Sequence, residues 1–200
     1  MATKGELTRR KVIAKSMQLF SVRGYFHTSI AAIVKATGLT KGGLYGHFRN
    51  KQEIWYAVYA ECARVWKSVV FQGVREIPDP LARLARVIDN SLQHYLGGGV
   101  FEGGCLLLNS LVELSGQSSA MSGHLLEGFK GFSELLLAWL QEAEQQGRLR
   151  DGLNLGEIAN FLVISLNGAA PLYAASKDPA VWQQTRAQLH FYLQSLEKAA

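Results

Sequence analysis

Hydrophobic residues recur along most of this chain at intervals of three and four positions, which is the period of an α-helix. Ile30, Ile33 and Val34 form one such stripe, and Leu136 and Leu140 belong to another. No segment alternates apolar and polar residues in the manner of a half-buried β-strand. The pattern therefore predicts an all-α protein of about nine helices without internal repeats.

Capping residues and helix breakers divide this pattern into elements. Asn50 with Glu53 has the spacing of a capping box, and Pro171 falls inside a helical pattern, where it either kinks the helix or ends it. The predicted helices span about residues 6–24, two short helices within 28–48, then 51–73, 80–96, 105–114 and 120–146, one that begins after Asn154 and one that Asp178 and Pro179 start. Residues 97–104, GGGVFEGG, are predicted to form a loop.

The segment 28–53, TSIAAIVKATGLTKGGLYGHFRNKQE, has the layout of a helix-turn-helix DNA reader. Gly38 marks the tight turn, because glycine takes a positive φ without steric cost. Leu44 and Phe48 give the second helix a buried side, and its other surfaces are small, basic and aromatic. Thr28 or Ser29 can cap the first helix.

Three glycines, Gly42, Gly43 and Gly46, lie inside this second helix. Each costs about 1 kcal/mol relative to alanine, so the helix depends on packing for its stability. The glycines suit a backbone that approaches another surface closely, such as a DNA groove. An ordinary helical hairpin with a Gly-rich turn is the alternative interpretation.

The positive charge of the chain is concentrated at its N-terminal end. Residues 1–51 contain ten Lys or Arg and one acid, a charge of +9, whereas the remainder contains eleven basic and fifteen acidic residues, a charge of −4. A basic N-terminal module joined to a mildly acidic body indicates a polyanionic partner at one end of the molecule. The coincidence of this charge with the helix-turn-helix pattern favours DNA.

The composition bears on several other classes of protein. Apolar residues make up 48% of the chain, as in globular proteins, and no uninterrupted apolar run reaches the roughly 18 residues of a membrane span. The first residues lack the apolar stretch of a signal peptide, so we expect a cytoplasmic protein without a membrane partner. Cys62 and Cys105 lack metal-site spacing and are expected to be reduced thiols. No phosphate loop or metal motif indicates a cofactor.

The segment 28–53 resembles the DNA-binding signature of the TetR/AcrR family of bacterial transcriptional regulators. The turn glycine, the Lys-Gly start of the second helix, the Leu-Tyr-x-His-Phe motif and the lysine after it match the family's spacing, although Val34 stands where the family more often has alanine. The resemblance implies a homodimer, with a helix-turn-helix DNA-binding domain in residues 1–50 and a helical effector-binding and dimerisation domain in residues 51–200.

The resemblance also implies which residues meet DNA. Because two groove-facing positions are glycines, few side chains remain for reading base edges, and DNA shape and phosphate contacts would carry much of the specificity. Two-fold symmetry implies a palindromic operator with half-sites about 34 to 36 Å apart, or at a spacing set by bending of the DNA. The expected DNA contacts are Thr28, Ser29, Thr40, Lys41, Gly42, Gly43, Tyr45, His47 and Lys51.

In the resemblance, the last two helices pair with their copies in a partner chain and form a four-helix interface. Small residues on the first of these helices permit a close approach, and some residues of both stripes are expected to face the chain's own core instead. The interface candidates are Phe161, Ser165, Gly168, Ala169, Leu189, Tyr192, Leu193 and Leu196.

Residues 103–114, GGCLLLNSLVEL, resemble a subgroup of the family in which Gly-Cys-Leu opens the sixth helix. One relative in that subgroup, the repressor of the N-ethylmaleimide reductase operon, senses electrophiles through its cysteine at this position. Cys105 matches the position, and the positive end of a helix dipole there favours a thiolate. The alternative is a small buried residue that behaves as a hydrophobe.

The resemblance further implies a pocket between the central helices for a small effector. Apolar and aromatic side chains dominate its candidate lining, and Asn109 and Glu113, one turn apart, would supply polar anchors. The effector would then be apolar or aromatic. The candidate ligand-binding residues are Cys105, Asn109, Glu113, Phe129, Phe132, Trp139, Asn167 and Tyr173.

These expectations describe a ligand-responsive DNA-binding regulator of transcription, and we expect it to be a repressor. A repressor that senses redox agents or electrophiles through Cys105 is the alternative. An enzyme is a remote alternative, because no histidine forms a recognisable nucleophile-base signature with Cys105. A sequence-tolerant DNA-packaging protein would show little preference for an operator over bulk DNA.

Overall fold

The computed structural model describes residues 3–101 and 103–198, and within them the chain is all-α, as predicted. Glu102, in the predicted loop 97–104, lies outside the described residues. A π-helical segment, Asn90–Leu96, continues the fifth helix. The helices are α1 Lys4–Arg23, α2 Ile30–Thr37, α3 Lys41–Tyr45, α4 Lys51–Val70, α5 Pro80–Asp89, α6 Leu106–Leu114, α7 Ser119–Gln145, α8 Leu155–Ser176 and α9 Ala180–Leu196.

Side-chain caps begin most of these helices at the predicted residues. Asn50 and Asn154 accept hydrogen bonds from the backbone amides three residues on. The carboxylate of Asp79 accepts the amides of Leu81 and Ala82, and Pro80 occupies the first helical position. Thr3 and Glu6 form a reciprocal capping box, so α1 begins at Lys4, two residues before the predicted start. Local sequence thus determines where the chain becomes helical.

Two hydrophobic cores share the long helix α4. The first core joins α1, α2 and α3 to the N-terminal half of α4, through residues such as Ile54 and Val58, and it also includes Leu114 of α6 and Leu125 of α7. The second core lies between α5, α7, α8, α9 and the C-terminal end of α4, where Val70 is buried. The N-terminal helices are therefore packed against α6 and α7, and not only against α4.

Helix α3 is only five residues long, shorter than the sequence pattern indicated. Gly46 forms its C-cap, and the glycines at positions 42 and 43 leave it with few side chains of its own. Leu44 and Phe48 are almost completely buried, and the guanidinium of Arg9 lies 4.8 Å from the centre of the Phe48 ring. Packing, and not helix propensity, holds α3 in place, as the glycine content implied.

Helix α8 continues through Pro171 to Ser176, so the proline does not end it. By length and composition alone α8 could cross a membrane, and no other helix of the described residues meets that test. Helix α8 packs against α7, α9 and the π-helical segment, and eight of its residues are buried there. These contacts are those of the core helix of a globular domain.

Because α3 is held by so few side chains, we expect Leu44→Ala to unfold the N-terminal helices first. Deletion of a buried leucine side chain costs about 2 to 5 kcal/mol. Denaturation with urea should therefore show a decrease of that size in the free energy of unfolding. Leu7→Ala, in which the leucine is 57% exposed, is the matched control and should change the unfolding free energy by less than about 0.5 kcal/mol. Equal effects in the two variants would contradict the packing argument.

Candidate nucleic-acid interface and central cavity

The surface around α3 is exposed, basic and low in side-chain bulk. Lys41, Gly42, Gly43 and Tyr45 are exposed, and nothing lies within 4 Å of the position that a Cβ at Gly42 would occupy. The hydroxyl of Thr40 accepts the Gly43 amide at 3.0 Å and so caps the helix. Of the ten basic residues in positions 1–51, nine are exposed. This geometry leaves a backbone and a set of cations free to approach a polyanion.

Thr28 does not belong to this surface. The residue has no exposed area, and its hydroxyl donates to the Gly24 carbonyl at 2.7 Å. Ser29, which is exposed, caps α2 by accepting the Ala32 amide at 3.1 Å. The prediction of Thr28 as a DNA contact is therefore wrong, because the side chain closes the α1–α2 turn instead. His47 is half-buried beside the surface.

Lys51 is bonded within the chain. Its Nζ donates to the carbonyls of Tyr25 at 2.8 Å and Thr28 at 3.1 Å, and it lies 4.2 Å from the centre of the Tyr25 ring. Burial lowers the pKa of the Lys51 ammonium, and the nearby Glu113 carboxylate opposes that shift. An ammonium has three N–H donors, so one remains for a phosphate. The phosphate contact of Lys51 stays a prediction.

Glu113 has a different role from the one predicted. Its carboxylate, on α6, accepts hydrogen bonds from the backbone amides of Tyr25 at 2.7 Å and Phe26 at 2.8 Å. Asn109 donates to the Gly103 carbonyl at 2.7 Å, within the turn that precedes α6. Neither residue lines the central cavity, so the prediction that they anchor an effector is wrong.

Gly24 makes the contact between Glu113 and the α1–α2 turn possible. It has a φ of +77°, and a Cβ at this position would lie 2.6 to 2.8 Å from the carboxylate atoms of Glu113. Both the backbone conformation and the close approach require glycine. We refer to Gly24, Tyr25, Phe26, Lys51 and Glu113 as the junction, because they join the N-terminal helices to α6 and α4.

A cavity of about 500 Å³ lies between α4, the π-helical segment, α7 and α8. Four of the predicted residues line it, namely Cys105, Phe129, Phe132 and Asn167. The sequence analysis missed the contribution of α4 and of the π-helical segment. The residues that it missed include Tyr59, Ala63, Trp66, Lys67, Phe71, Ser91, Tyr95 and Leu96.

A signal for the α4 wall was present in the sequence. Tyr59, Ala63 and Trp66 recur at intervals of four and three residues, which places them along one side of a helix. The contribution of the π-helical segment had no such signal, since its side chains depart from the α-helical period.

Two predicted ligand contacts lie outside the central cavity. Trp139 lines an adjoining groove of about 670 Å³, which shares Lys67, Phe71 and Leu135 with the cavity. Tyr173 borders a separate space of about 80 Å³. The predictions that these two side chains line the central pocket are therefore wrong.

Few polar groups face the cavity. Ser91 Oγ is buried and has no hydrogen-bond partner within the described part of the chain. The amide group of Asn167 donates to the Val163 carbonyl at 2.7 Å, and the Tyr95 hydroxyl donates to Cys105 Sγ at 3.8 Å. A mostly apolar wall with a small number of polar groups is typical of small-molecule sites.

The chemistry of Cys105 differs from the thiolate that the helix-dipole argument predicted. Burial raises the pKa of the Cys105 thiol, and the opposing effects of the Leu108 and Leu107 amides and the Tyr95 hydroxyl are smaller. Burial also raises the pKa of Cys62, which is free like Cys105. Burial thus favours the neutral thiol at both positions, which agrees with the interpretation of Cys105 as a small buried residue and not with a favoured thiolate.

The predicted dimer residues divide into two groups. Ala169, Leu189, Leu193 and Leu196 are buried in the chain's own core, so their assignment to an interface is wrong. Phe161 and Gly168 are exposed, and Ser165 and Tyr192 are half-buried. The sequence analysis missed the most exposed apolar side chains of α8 and α9, which are Ile164, Leu172 and Phe191.

Two family matches cover most of the chain. Residues 12–58 match the family described as bacterial regulatory proteins, tetR family, and residues 80–189 match the tetracyclin repressor-like C-terminal domain. The chain belongs to the TetR family. The resemblance identified from the helix-turn-helix segment is thereby confirmed. Membership of the Gly-Cys-Leu subgroup stays a prediction.

Individual relatives of this TetR-family chain agree with the match. The transcriptional repressor DhaR of Mycobacterium sp. (strain GP1) is 27% identical over 161 residues, which are 80% of this chain and 79% of DhaR. A TetR-family regulator from Cytophaga hutchinsonii has a TM-score of 0.88 at 25% identity, with both chains fully covered.

A cysteine variant of the TetR-family regulator CifR, solved with a 26-base-pair operator duplex, has a TM-score of 0.75 at 19% identity, over 94% of this chain and 95% of the other. At 19% identity this similarity shows a shared fold and nothing more.

Because its thiol is buried and its pKa is raised, we expect Cys105 to react slowly with N-ethylmaleimide. The thiolate is the reactive form, so the rate should rise as the pH is raised towards the elevated pKa and should rise sharply in urea. Mass spectrometry of Cys62→Ser, which leaves only Cys105, measures this rate. Rapid labelling of the folded protein near pH 7, together with loss of DNA binding that Cys105→Ser prevents, would instead support an electrophile sensor.

Proposed function

We propose that this protein is a transcriptional repressor that leaves a palindromic operator when a small apolar or aromatic effector enters the central cavity. The observation that carries the proposal is the junction, in which a carboxylate from α6 holds the turn that leads into the DNA-reading helices. We take residues 1–50 as the DNA-binding domain and residues 51–200 as the effector-binding and dimerisation domain. The family's named relatives are transcriptional regulators, which supports a protein that is not an enzyme.

The proposed DNA contacts lie on and beside α3. Lys41 and Tyr45 are exposed there, and the glycines between them let the backbone approach a groove. Side chains that read base edges are few, so phosphate contacts and DNA shape would supply much of the affinity and specificity. Ser29, Thr40, His47 and Lys51 complete the proposed contact set.

The proposed dimer forms through the exposed stripe of α8 and the neighbouring face of α9. Phe161, Ile164 and Leu172 recur along α8 and are 46%, 69% and 63% exposed, and Phe191 of α9 is 68% exposed. A groove between the two helices, of about 490 Å³, lies beside this stripe. Apolar surface of this kind is typical of permanent interfaces, and a second copy of the chain would cover it.

Cavity and DNA surface are connected through α6. The helix follows Cys105, which lines the cavity, and carries Glu113 near its other end. The helix is nine residues long, or about 13 Å at 1.5 Å per residue. An effector that displaces the start of α6 would move Glu113, and with it the amides of Tyr25 and Phe26. The DNA-reading helices begin directly after this turn.

A mobility-shift assay on DNA flanking the protein's own gene tests the DNA-binding part of the proposal. Lys41→Ala should weaken binding and reduce the slope of log K against log salt by about 0.9, because one phosphate contact is lost. Lys130→Ala removes the same charge from α7, outside the proposed DNA contacts, and should leave the slope unchanged. If no DNA fragment were retarded even at low salt, the proposal would be overturned.

Glu113→Ala tests the junction. The loss of two hydrogen bonds to a carboxylate should lower the free energy of unfolding by about 1 to 3 kcal/mol and should raise the amide exchange rates of Tyr25 and Phe26 in NMR experiments. Operator affinity should fall although Glu113 is not one of the proposed DNA contacts. Glu144→Ala, which removes an exposed carboxylate of α7, is the control. Unchanged exchange at both amides would show that the junction does not hold the turn.

A further inference from the structure

We infer that the effector is an amphipathic organic anion, with an apolar chain or ring system in the cavity and a carboxylate-type head at the basic groove beside it. The inference rests on the proposed use of the cavity as the effector site. It specifies the charge of the effector and the end of the cavity at which that charge lies.

The interior of the cavity selects an apolar body. Trp66, Phe71 and Phe132 meet edge to face, with ring centres 4.9 Å apart for Trp66 and Phe132 and 5.5 Å apart for Trp66 and Phe71. Leu107, Leu125, Leu135 and Leu166 are among the remaining lining residues. The volume of about 500 Å³ falls within the range of about 300 to 1,000 Å³ that is usual for small-molecule sites.

One end of the cavity continues into the groove that Trp139 lines. Lys67, Phe71 and Leu135 border both spaces, and Arg75 and Arg83 border the groove alone. A ligand whose apolar part occupies the cavity can therefore extend a polar end past Lys67 into the groove.

The cations of this groove differ in whether the chain already neutralises them. Arg83 is already paired, since it donates to Glu142 at 2.6 Å and to the carbonyls of Ile77 and Pro78. Lys67 and Arg75 are exposed and form no ion pair with any described residue. Two unpaired positive charges thus border the path out of the cavity, where an anionic head would pair with them.

One carboxylate opposes this arrangement. Glu127 borders the cavity but not the groove, and it is exposed. The charge around the site is therefore asymmetric, with two unpaired cations on the groove side and one carboxylate on the α7 side. This asymmetry assigns an anionic head to the groove, whereas a cationic ligand would have to place its head by Glu127.

Three ligands that share one decyl chain test the charge directly. Titration calorimetry of the full-length protein with decanoate, decanol and decyltrimethylammonium, each below its micelle concentration, compares an anion, a neutral molecule and a cation. We expect decanoate to bind at least ten-fold more tightly than decyltrimethylammonium, and its affinity to fall with added salt because an exposed charge pair is screened.

Variants of the two cations locate the head. Lys67→Ala and Arg75→Ala should each lower the ratio of decanoate affinity to decanol affinity about two- to five-fold, the range expected for exposed charge pairs, and the double variant should lower it about ten-fold. Because both ligands carry the same decyl chain, any change in the binding of that chain cancels in the ratio. Arg150→Ala removes an exposed arginine that borders neither the cavity nor the groove, so this charge-matched control should leave the ratio unchanged.

Equal or tighter binding of decyltrimethylammonium, or an unchanged ratio in the double variant, would overturn the inference. A mobility-shift assay on the same samples keeps the two proposals separate. A protein that binds its operator but does not prefer decanoate would contradict the anionic effector alone, whereas a protein that prefers decanoate but binds no operator would contradict the repressor function alone.

Discussion

Two opposite charges, contributed by distant parts of the chain, hold the turn between α1 and α2. Glu113 accepts the amides of Tyr25 and Phe26, and Lys51 donates to the carbonyls of Tyr25 and Thr28. Hydrogen bonds to charged groups are stronger than those between neutral groups, so this turn is tied to α6 on one side and to α4 on the other. Helices α2 and α3 follow the turn directly, and the orientation of the exposed basic surface depends on it.

Helix α4 gives that arrangement its rigidity. One side of the helix contributes Ile54 and Val58 to the core of the DNA-reading helices, and another side contributes Tyr59 and Trp66 to the wall of the cavity. A close-packed core transmits a displacement and does not absorb it. In the proposed function, a change in the cavity would therefore reach the N-terminal helices by two routes, through α4 and through α6, and both routes end at the same turn.

The parts of this structure that sequence predicts are those that depend on neighbouring residues. A capping bond such as that of Asn50 spans three residues, so the helix starts were readable. Glu113 and Tyr25 are 88 residues apart and meet through a backbone amide, which leaves no signature in the sequence. For Cys105 the sequence left a thiolate and a small buried residue as alternatives, because the helix dipole is a local effect and burial is a tertiary one. For Leu189 and Leu193, one hydrophobic stripe fits a core and an interface equally well.

The lack of side chains at the glycines of α3 has an evolutionary consequence. At Gly42 the backbone has no positive φ, and a Cβ would meet nothing within 4 Å. Most side chains could therefore be accommodated there without strain, and alanine in place of glycine inside a helix is favoured by about 1 kcal/mol. In the proposed complex with DNA, a single substitution at this exposed position would thus add a side chain beside the groove at no cost in stability. The present glycine contributes no such side chain, so this position offers a direct route to a narrower operator preference.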